Sequence, residues 1–240
     1  MKKVILVTGA SSGIGEATAR ELASAGHIVI MVARRFDRLK KLAAEIEANN
    51  GIARAYPLDV TVSSEFTNVV NSIVEEFGRL DVLVNNAGIM SLAPLKGLKL
   101  DEWEQMIDVN VKGVLYGVAA ALPHMEKQQD GHVINVASIA AHYVFPTASV
   151  YCATKHAVKA ISDGLRLETD KIRVTTISPG VVESEIANAT TDPESKDWLD
   201  KFRTVSLKPE AIAQTIKHTI EQPVDVDINE VIIRPTASAH

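Results

Sequence analysis

The chain has 240 residues, 25 of them Lys or Arg and 30 Asp or Glu, for a formal net charge of −5. Charges of both signs are spread along it, which excludes the basic footprint that nucleic acid or an anionic membrane would need. Its one cysteine, Cys152, excludes an intrachain disulfide and fits a reducing compartment.

The opening apolar run stops at Leu6 and Val7, too short for a signal peptide, and no segment is expected to reach membrane-spanning length. The sequence therefore reads as a soluble, cytoplasmic protein. No linker or charge block divides it, so residues 1–240 read as one domain.

In chain order, short β-branched runs alternate with longer helical patterns. Val4 to Val7 reads as a buried strand, and Gly15 to Ala25 has helical spacing that stops at Gly26. Ile28 to Val32 is a second strand, and Asp37 to Ala48 an amphipathic helix closed by Asn49, Asn50 and Gly51. Ile52 to Tyr56, Ser63 to Phe77 and Val82 to Val84 repeat the beat. One long helix is expected from about Asp101 to Met125, then a strand at Val133 to Val136, a helix carrying Tyr151, and a strand at Arg173 to Ile177. A last helix from about Pro209 to Gln222 precedes a strand at Glu230 to Ile233. This alternation predicts an α/β domain with a mostly parallel sheet covered on both faces. The runs VILV, IVIMV, VLV and VINV are continuously apolar, as strands buried on both sides must be.

The first strand-to-helix turn, Thr8 to Gly15 (TGASSGIG), places glycines at 9, 13 and 15. Glycine takes positive φ and lets a backbone approach a ligand, and the following helix start offers unpaired N–H groups to an anion. The spacing is G-x-x-x-G-x-G, and the Lys-Ser/Thr of a P-loop is missing. At the end of the second strand, where an NAD site would place a carboxylate, stand Arg34 and Arg35. Either alone reads equally as a solvated residue at a helix start; two at this spot favour a 2′-phosphate and hence NADP(H). Asp59 reads as a partner for an adenine amine or as the cap of the next helix. Asn85-Asn86-Ala87-Gly88 reads as a ribose-lining segment or as a tie between loops.

Tyr151 and Lys155, four apart at the start of a helix, project from one face, and Ser138 ends an apolar run upstream. A phenol with a pKa of about 10 sheds its proton reluctantly near neutrality. An ammonium about 4 Å away would stabilise the phenolate by roughly 4 kcal/mol, on the order of three pKa units, so Lys155 is expected to tune Tyr151. The bland readings are a surface Tyr–Lys pair, a capping serine, and an Asn110 that hydrogen-bonds inside a helix. Cys152 reads as a buried thiol. His142 reads as a loop histidine or as one that brushes a substrate. His124, His132, His156 and His218 lack metal-ligand spacing, so no metal is expected.

Taken together, these residues make the sequence resemble the single-domain short-chain dehydrogenase/reductases. The likeness rests on TGASSGIG at 8–15, NNAG at 85–88, Asn110 in DVNVKG, Ser138, Tyr151-Cys-Ala-Thr-Lys155 and Pro179-Gly180, and runs along essentially the whole chain. The tail from Gln222 to Thr236 is similar to that of NADP-dependent 3-hydroxy acid and serine dehydrogenases, which also act as broad carbonyl reductases.

The resemblance implies a Rossmann-type doubly wound sheet of about seven strands and NADP(H) as cofactor. It implies a catalytic set of Asn110, Ser138, Tyr151 and Lys155. Tyr151 would be the acid/base and Ser138 would hold the substrate oxygen; Lys155 would also grip the nicotinamide ribose, and Asn110 would organise a water. Cofactor contacts are implied for Gly9, Ser11, Ser12, Gly13, Ile14, Gly15, Arg34, Arg35, Asp59, Val60, Asn86, Ala87, Gly88, Tyr151, Lys155, Pro179, Gly180, Val182 and Ser184. Ser184 stands where the family's threonine touches the carboxamide. Residues 181 to about 205, with Trp198 and Phe202, resemble a substrate lid, though Trp198 equally suits a subunit contact. The family also implies a homotetramer acting on a small carbonyl or alcohol. The direct join of ETDK to IRV implies a trimmed helix end.

The expected activity is NADP(H)-dependent interconversion of a ketone or aldehyde with an alcohol. One alternative is a 3-oxoacyl thioester reductase, whose acidic carrier would need a basic patch; Lys196, Lys201 and Arg203 are instead interleaved with Asp192, Glu194, Asp197 and Asp200. The other is a dinucleotide-binding regulator without turnover, which would be expected to have lost one of Ser138, Tyr151 or Lys155.

Overall fold

Seven strands form one parallel sheet: β1 (Val4–Thr8), β2 (Ile28–Ala33), β3 (Ile52–Pro57), β4 (Val82–Asn85), β5 (Gly131–Val136), β6 (Ile172–Pro179) and β7 (Glu230–Ile233). Their order is β3-β2-β1-β4-β5-β6-β7. The structure, a computed structural model, describes residues 2–238 without the side chains of Asp200, Lys201 and Phe202; the parts given above to those three lie outside the described residues.

The alternation of side chains along each strand builds two cores. In β1, Ile5 and Val7 point to one face and Val4 and Leu6 to the other. The first face is covered by α1 (Gly13–Ser24), α2 (Phe36–Ala48) and α8 (Pro209–Ile220), through Leu22, Leu39 and Ile212. The second is covered by α3 (Ser63–Phe77), α5 (Gly113–Gln128) and α6 (Ser149–Glu168), through Phe66, Met125 and Leu165. Apolar residues on both faces of the central strands explain why those runs carry no polar alternation. This is the doubly wound fold that the sequence predicts. The strand order reverses between β1 and β4, and at such a point loops from the C-terminal strand ends diverge and leave a crevice.

Several boundaries differ from the sequence reading. The long helix expected over Asp101 to Met125 is α4 (Leu100–Ile107) joined to α5 through a π turn at Asp108–Lys112. A one-turn widening adds a residue without breaking the apolar periodicity, so a 3.6-residue pattern cannot reveal it. The first helix begins at Gly13, not Gly15, and the last ends at Ile220. An additional helix, α7 (Pro193–Phe202), lies between β6 and α8. Only Thr169 to Lys171 join α6 to β6.

The helical run Leu100–Gln128 is long and apolar enough to cross a membrane by length and composition, which corrects the expectation that no segment is. Its Val109, Ala120, Ala121 and Met125 pack into the second core, as in the core helix of a globular fold.

His132 on β5 is 1% exposed; its Nε2 shares a 2.8 Å hydrogen bond with Thr175 Oγ1, and its Nδ1 has no partner. Burial, reinforced by Arg173 and Lys3, pushes its pKa well below the ordinary value of 6.5. The folded state therefore resists a proton that the unfolded chain accepts. Stability from this group is intact above about pH 6.5 and is lost as the pH falls toward the folded value. Urea unfolding should show a loss of about 1 kcal/mol between pH 7 and 5.5 that His132→Gln removes. An equal pH dependence in both proteins would refute this assignment.

Candidate active site

The C-terminal strand ends open into one cavity of about 580 Å³, within the usual range of small-molecule sites. Its floor at one end is the turn after β1. Gly9 and Gly13 hold φ of +66° and +57°, a region that side-chain-bearing residues avoid. A Cβ on Gly9 would lie 2.9 Å from Ala87 Cα, and one on Gly15 would lie 2.5 Å from the Gly9 carbonyl oxygen. The glycines thus let α1 start directly beneath the loop after β4, with its N-terminal N–H groups toward the cavity.

Ser12 makes no side-chain cap to α1. Its Oγ accepts from Arg35 Nη2 at 2.6 Å, and Ser11 Oγ accepts from Arg35 Nε at 3.1 Å. Arg35 is therefore folded back over the glycine turn. Its Nη1 pairs with Glu185 Oε2 at 2.5 Å, and Arg38 Nη1 donates to both Glu185 oxygens at 3.0 and 3.1 Å. Arg35 first, then Arg38, holds the Glu185 carboxyl down to about 2. Arg34 lines the cavity near Asp59.

Asp59 is not the cap of α3. Its Oδ1 accepts from Thr61 N at 3.0 Å and Thr61 Oγ1 at 2.8 Å, a local turn that leaves Val62 to precede the helix. Burial raises the Asp59 pKa, and the two Thr61 bonds outweigh that to leave it below the usual range. Asn86 ties loops: its Nδ2 donates to Thr8 O at 2.8 Å, and its backbone N–H donates to Thr8 Oγ1 at 2.9 Å. Asn85 points away, donating to Asn135 Oδ1 within the sheet.

At the other end α6 brings Tyr151 and Lys155, 7% and 4% exposed, to the cavity wall beside Ser138. Lys155 Nζ donates to Val136 O at 2.9 Å and sits 5.9 Å from the centre of the Tyr151 ring. The expected lowering of the phenol by the lysine is not what the structure shows. Burial pushes Tyr151 up to about 12, with Ser138 opposing through a hydrogen bond, while burial draws Lys155 down to about 8. Desolvation favours the neutral form of both groups, and the carbonyl of Val136, not the phenol, receives the ammonium. Ser138 also acts as a cap, its Oγ accepting from Ala140 N at 3.1 Å.

Asn110 is 1% exposed in the π turn and does not line the cavity. Its Oδ1 accepts from Ile89 N at 2.9 Å, and its Nδ2 donates to Ile89 O at 2.9 Å and to Thr154 Oγ1 at 3.1 Å. Its side chain thereby fixes the loop after β4 to the helix of Tyr151. Gly88 lies between them: a Cβ there would be 3.4 Å from Asn110 Oδ1 and 3.6 Å from Lys155 Nζ. Gly15 is likewise set back from the cavity. The other expected residues, namely Gly9, Ser11, Ser12, Gly13, Ile14, Arg34, Arg35, Asp59, Val60, Asn86, Ala87, Gly88, Ser138, Tyr151, Lys155, Pro179, Gly180, Val182 and Ser184, all line it.

Beyond Tyr151 the wall is apolar, built from Met90, Leu92, Phe145, Ala148, Trp198 and Leu199. Of these only Trp198 was singled out from the sequence. The segment after β6 crosses the mouth. Ser184 Cβ would be 3.4 Å from a Cβ on Gly13, and Arg203 Nη2 donates to the Ser184 carbonyl at 2.5 Å. Ser91 Oγ donates to Ala189 O at 3.1 Å, and Leu92 N donates to Thr190 Oγ1 at 3.3 Å. No cluster of three or more His, Cys, Asp or Glu able to hold a metal occurs among the described residues.

The sequence model described as short chain dehydrogenase matches residues 3–195. The chain belongs to the short-chain dehydrogenase family. An uncharacterized oxidoreductase of Staphylococcus saprophyticus is 45% identical over 241 residues, covering 99% of this chain and 97% of the relative. The alcohol dehydrogenase of the archaeon Thermococcus sibiricus, solved with 5-hydroxy-NADP, superimposes with a TM-score of 0.89 at 30% identity over 99% of this chain and 98% of that one. The closed form of a serine dehydrogenase complexed with NADP+ gives 0.91 at 32% identity, over 99% and 96%.

In this short-chain dehydrogenase the backbone of Gly9 has no room to yield to a side chain on Gly15. Gly15→Ala should destabilise the protein by about 1–3 kcal/mol, read as a lowered midpoint in urea, although residue 15 does not reach the cavity. Unchanged stability would mean that α1 can slide, contrary to the contact described.

Proposed function

We propose that the protein is an NADP(H)-dependent oxidoreductase that interconverts a small ketone or aldehyde with its alcohol. The observation that carries this is one cavity with Arg34 and Arg35 beside a glycine turn at one end and Ser138, Tyr151 and Lys155 at the other. The residues fit the cofactor. Two backbone positions at positive φ and a helix start suit a pyrophosphate, and guanidinium groups suit a 2′-phosphate where a hydroxyl would need an acceptor. The NADP in the two structural relatives supports the same choice.

When bound, NADPH supplies a hydride to the carbonyl carbon. Tyr151 gives its proton to the carbonyl oxygen, and Ser138 holds that oxygen through its hydroxyl. With the phenol near 12 and the lysine near 8, both carry their protons at neutral pH, the state from which a reduction starts. Lys155, fixed by the Val136 carbonyl beside Gly88, is placed to hold a ribose hydroxyl and to favour the phenolate as the proton leaves. Asn110 acts on Ile89 and Thr154 as a positioning residue.

The apolar wall of Met90, Leu92 and Phe145 favours a carbonyl with a hydrocarbon substituent over a free acid, because the nearby Arg203 donates to backbone carbonyls. Lys196 and Arg203 stand among acidic residues, which disfavours an acidic carrier and hence a 3-oxoacyl thioester. Residues 181–205 act as the lid. Ile107 and Leu115, more than two-fifths exposed on the long helical run, give it an apolar face for the tetramer that the family resemblance implies.

The test is NADPH consumption with aryl ketones and β-keto esters, and NADP+ reduction with 3-hydroxy acids and serine. Tyr151→Phe should lower kcat by about 10²- to 10⁴-fold while NADPH binding stays within about threefold. NADPH binding without turnover on any of these compounds would leave a regulator instead. A second expectation concerns pH: kcat/KM for reduction should fall above about pH 8, as Lys155 loses its proton in the free enzyme. A profile flat to pH 10 would remove the lysine's charge from the mechanism.

A further inference from the structure

Glu185 directly follows Ser184, and although its side chain is 44% exposed, its carboxylate is fully engaged in ion pairs. It reaches across the cavity mouth to two arginines from a different part of the fold: Arg35, which precedes α2, and Arg38, in the first turn of α2. Both of its oxygens are used, Oε2 by Arg35 and both by Arg38. Arg35 is held in that pose from behind by Ser11 and Ser12. The guanidinium pair therefore presents a built anion site, filled in this structure by a side chain of the chain's own mouth segment. That segment lies over the glycine turn, with Ser184 against Gly13.

A carboxylate and a phosphate ester ask the same of a guanidinium: a planar fork of N–H donors facing paired oxygens. The site lies on the nucleotide side of the cavity, where the proposed cofactor would carry its 2′-phosphate, so the two anions cannot share it without like-charge repulsion. We propose that Glu185 is a resident counter-anion that competes with the 2′-phosphate for Arg35, with Arg38 outside the cavity as its second anchor, and so latches the mouth segment to the nucleotide end until that phosphate displaces it. This rests on the NADP(H) reading above and adds a residue, a competition and a consequence to it. Phosphate entry frees Glu185 and loosens residues 184–188 around it, while the Val182–Leu207 bridge and the Ser91 and Leu92 bonds keep the two flanks in place; a nucleotide lacking the 2′-phosphate leaves the latch shut.

The pair of contacts is half-exposed, so its loss should be modest. Each exposed ion pair contributes little, and two together correspond to roughly a three- to tenfold change in affinity. The probes are 2′,5′-ADP, which carries the phosphate without the nicotinamide half, and 5′-AMP, which lacks the phosphate. Calorimetric titration of the full chain at low salt should show Glu185→Gln binding 2′,5′-ADP about three- to tenfold more tightly than the parent, with 5′-AMP unchanged. The gain should shrink toward unity as salt screens the pair. Hydrogen exchange provides a second reading: 2′,5′-ADP should speed exchange in residues 184–188 of the parent, and Glu185→Gln should show the faster exchange without ligand.

If the parent binds 2′,5′-ADP and Glu185→Gln binds it no better, the latch is wrong and the cofactor reading stands. If Glu185→Gln instead weakens 5′-AMP, Glu185 is an acceptor for a ribose hydroxyl and the competition is wrong. If neither protein binds 2′,5′-ADP or NADPH, both readings fall together.

Discussion

One threonine and one asparagine hold the site open. Thr8 Oγ1 donates to Val84 O and accepts from the N–H groups of Asn86 and Ala87, while Asn86 Nδ2 returns a bond to Thr8 O. These bonds fasten the end of β1 to the end of β4 at the place where the strand order reverses and the loops part. The tie is buried or nearly so, and each donor and acceptor in it would be costly to leave unpaired. It also fixes how near the turn after β1 comes to the loop after β4. That spacing is what demands glycine at 9 and 15: the room for a Cβ is taken by Ala87, Asn86 and the Gly9 carbonyl. The anion seat and the wall opposite it are thus one rigid unit, built before any ligand is considered.

The chemistry at the far end is governed by burial more than by the pairing of charges. Tyr151 and Lys155 lie on one face of α6, as a four-residue spacing dictates, yet the ammonium donates to Val136 O. In a dry site the neutral form of each group is favoured, so the phenol rises and the lysine falls. The arrangement keeps a proton on the phenol at neutral pH and places the cation where it can favour proton loss once additional charge is brought close. A Coulombic estimate from spacing alone misses this because it counts attraction and omits desolvation, the larger of the two here.

What could be read in the sequence follows from the same physics. Continuous apolar strands, helices that stop at glycine and a glycine turn are local signals, and the seven strands fall where those signals lie, from Val4 to Ile233. The lining residues near the glycine turn were legible because backbone geometry selects their type. The π turn at Asp108–Lys112 was not, since one extra residue leaves the apolar face almost unchanged. Nor were Met90, Leu92 and Phe145, whose side chains are of the kind that fills any core; only the fold turns them toward a cavity. Asn110 was singled out for a catalytic role, but its side chain serves Ile89 and Thr154 and does not reach the cavity, a distinction that only tertiary contact makes. Glu185 carried no signal at all, because its arginine partners are some 150 residues away in sequence.

The segment after β6 joins these two ends by unlike forces. Toward the nucleotide side it is held by ion pairs from Glu185 to Arg35 and Arg38, all about half exposed. Toward the apolar side it is held by neutral hydrogen bonds, from Ser91 to Ala189 and from Leu92 to Thr190, in buried or half-buried surroundings. Screening by salt weakens the first set and leaves the second nearly untouched. The start of the segment is also pinned by Arg203 on the Ser184 carbonyl and by the Val182–Leu207 bridge, so the ionic and the neutral fastening beyond can each be loosened without releasing the segment. With both engaged, it lies across the mouth, held by two contributions of different physical kind.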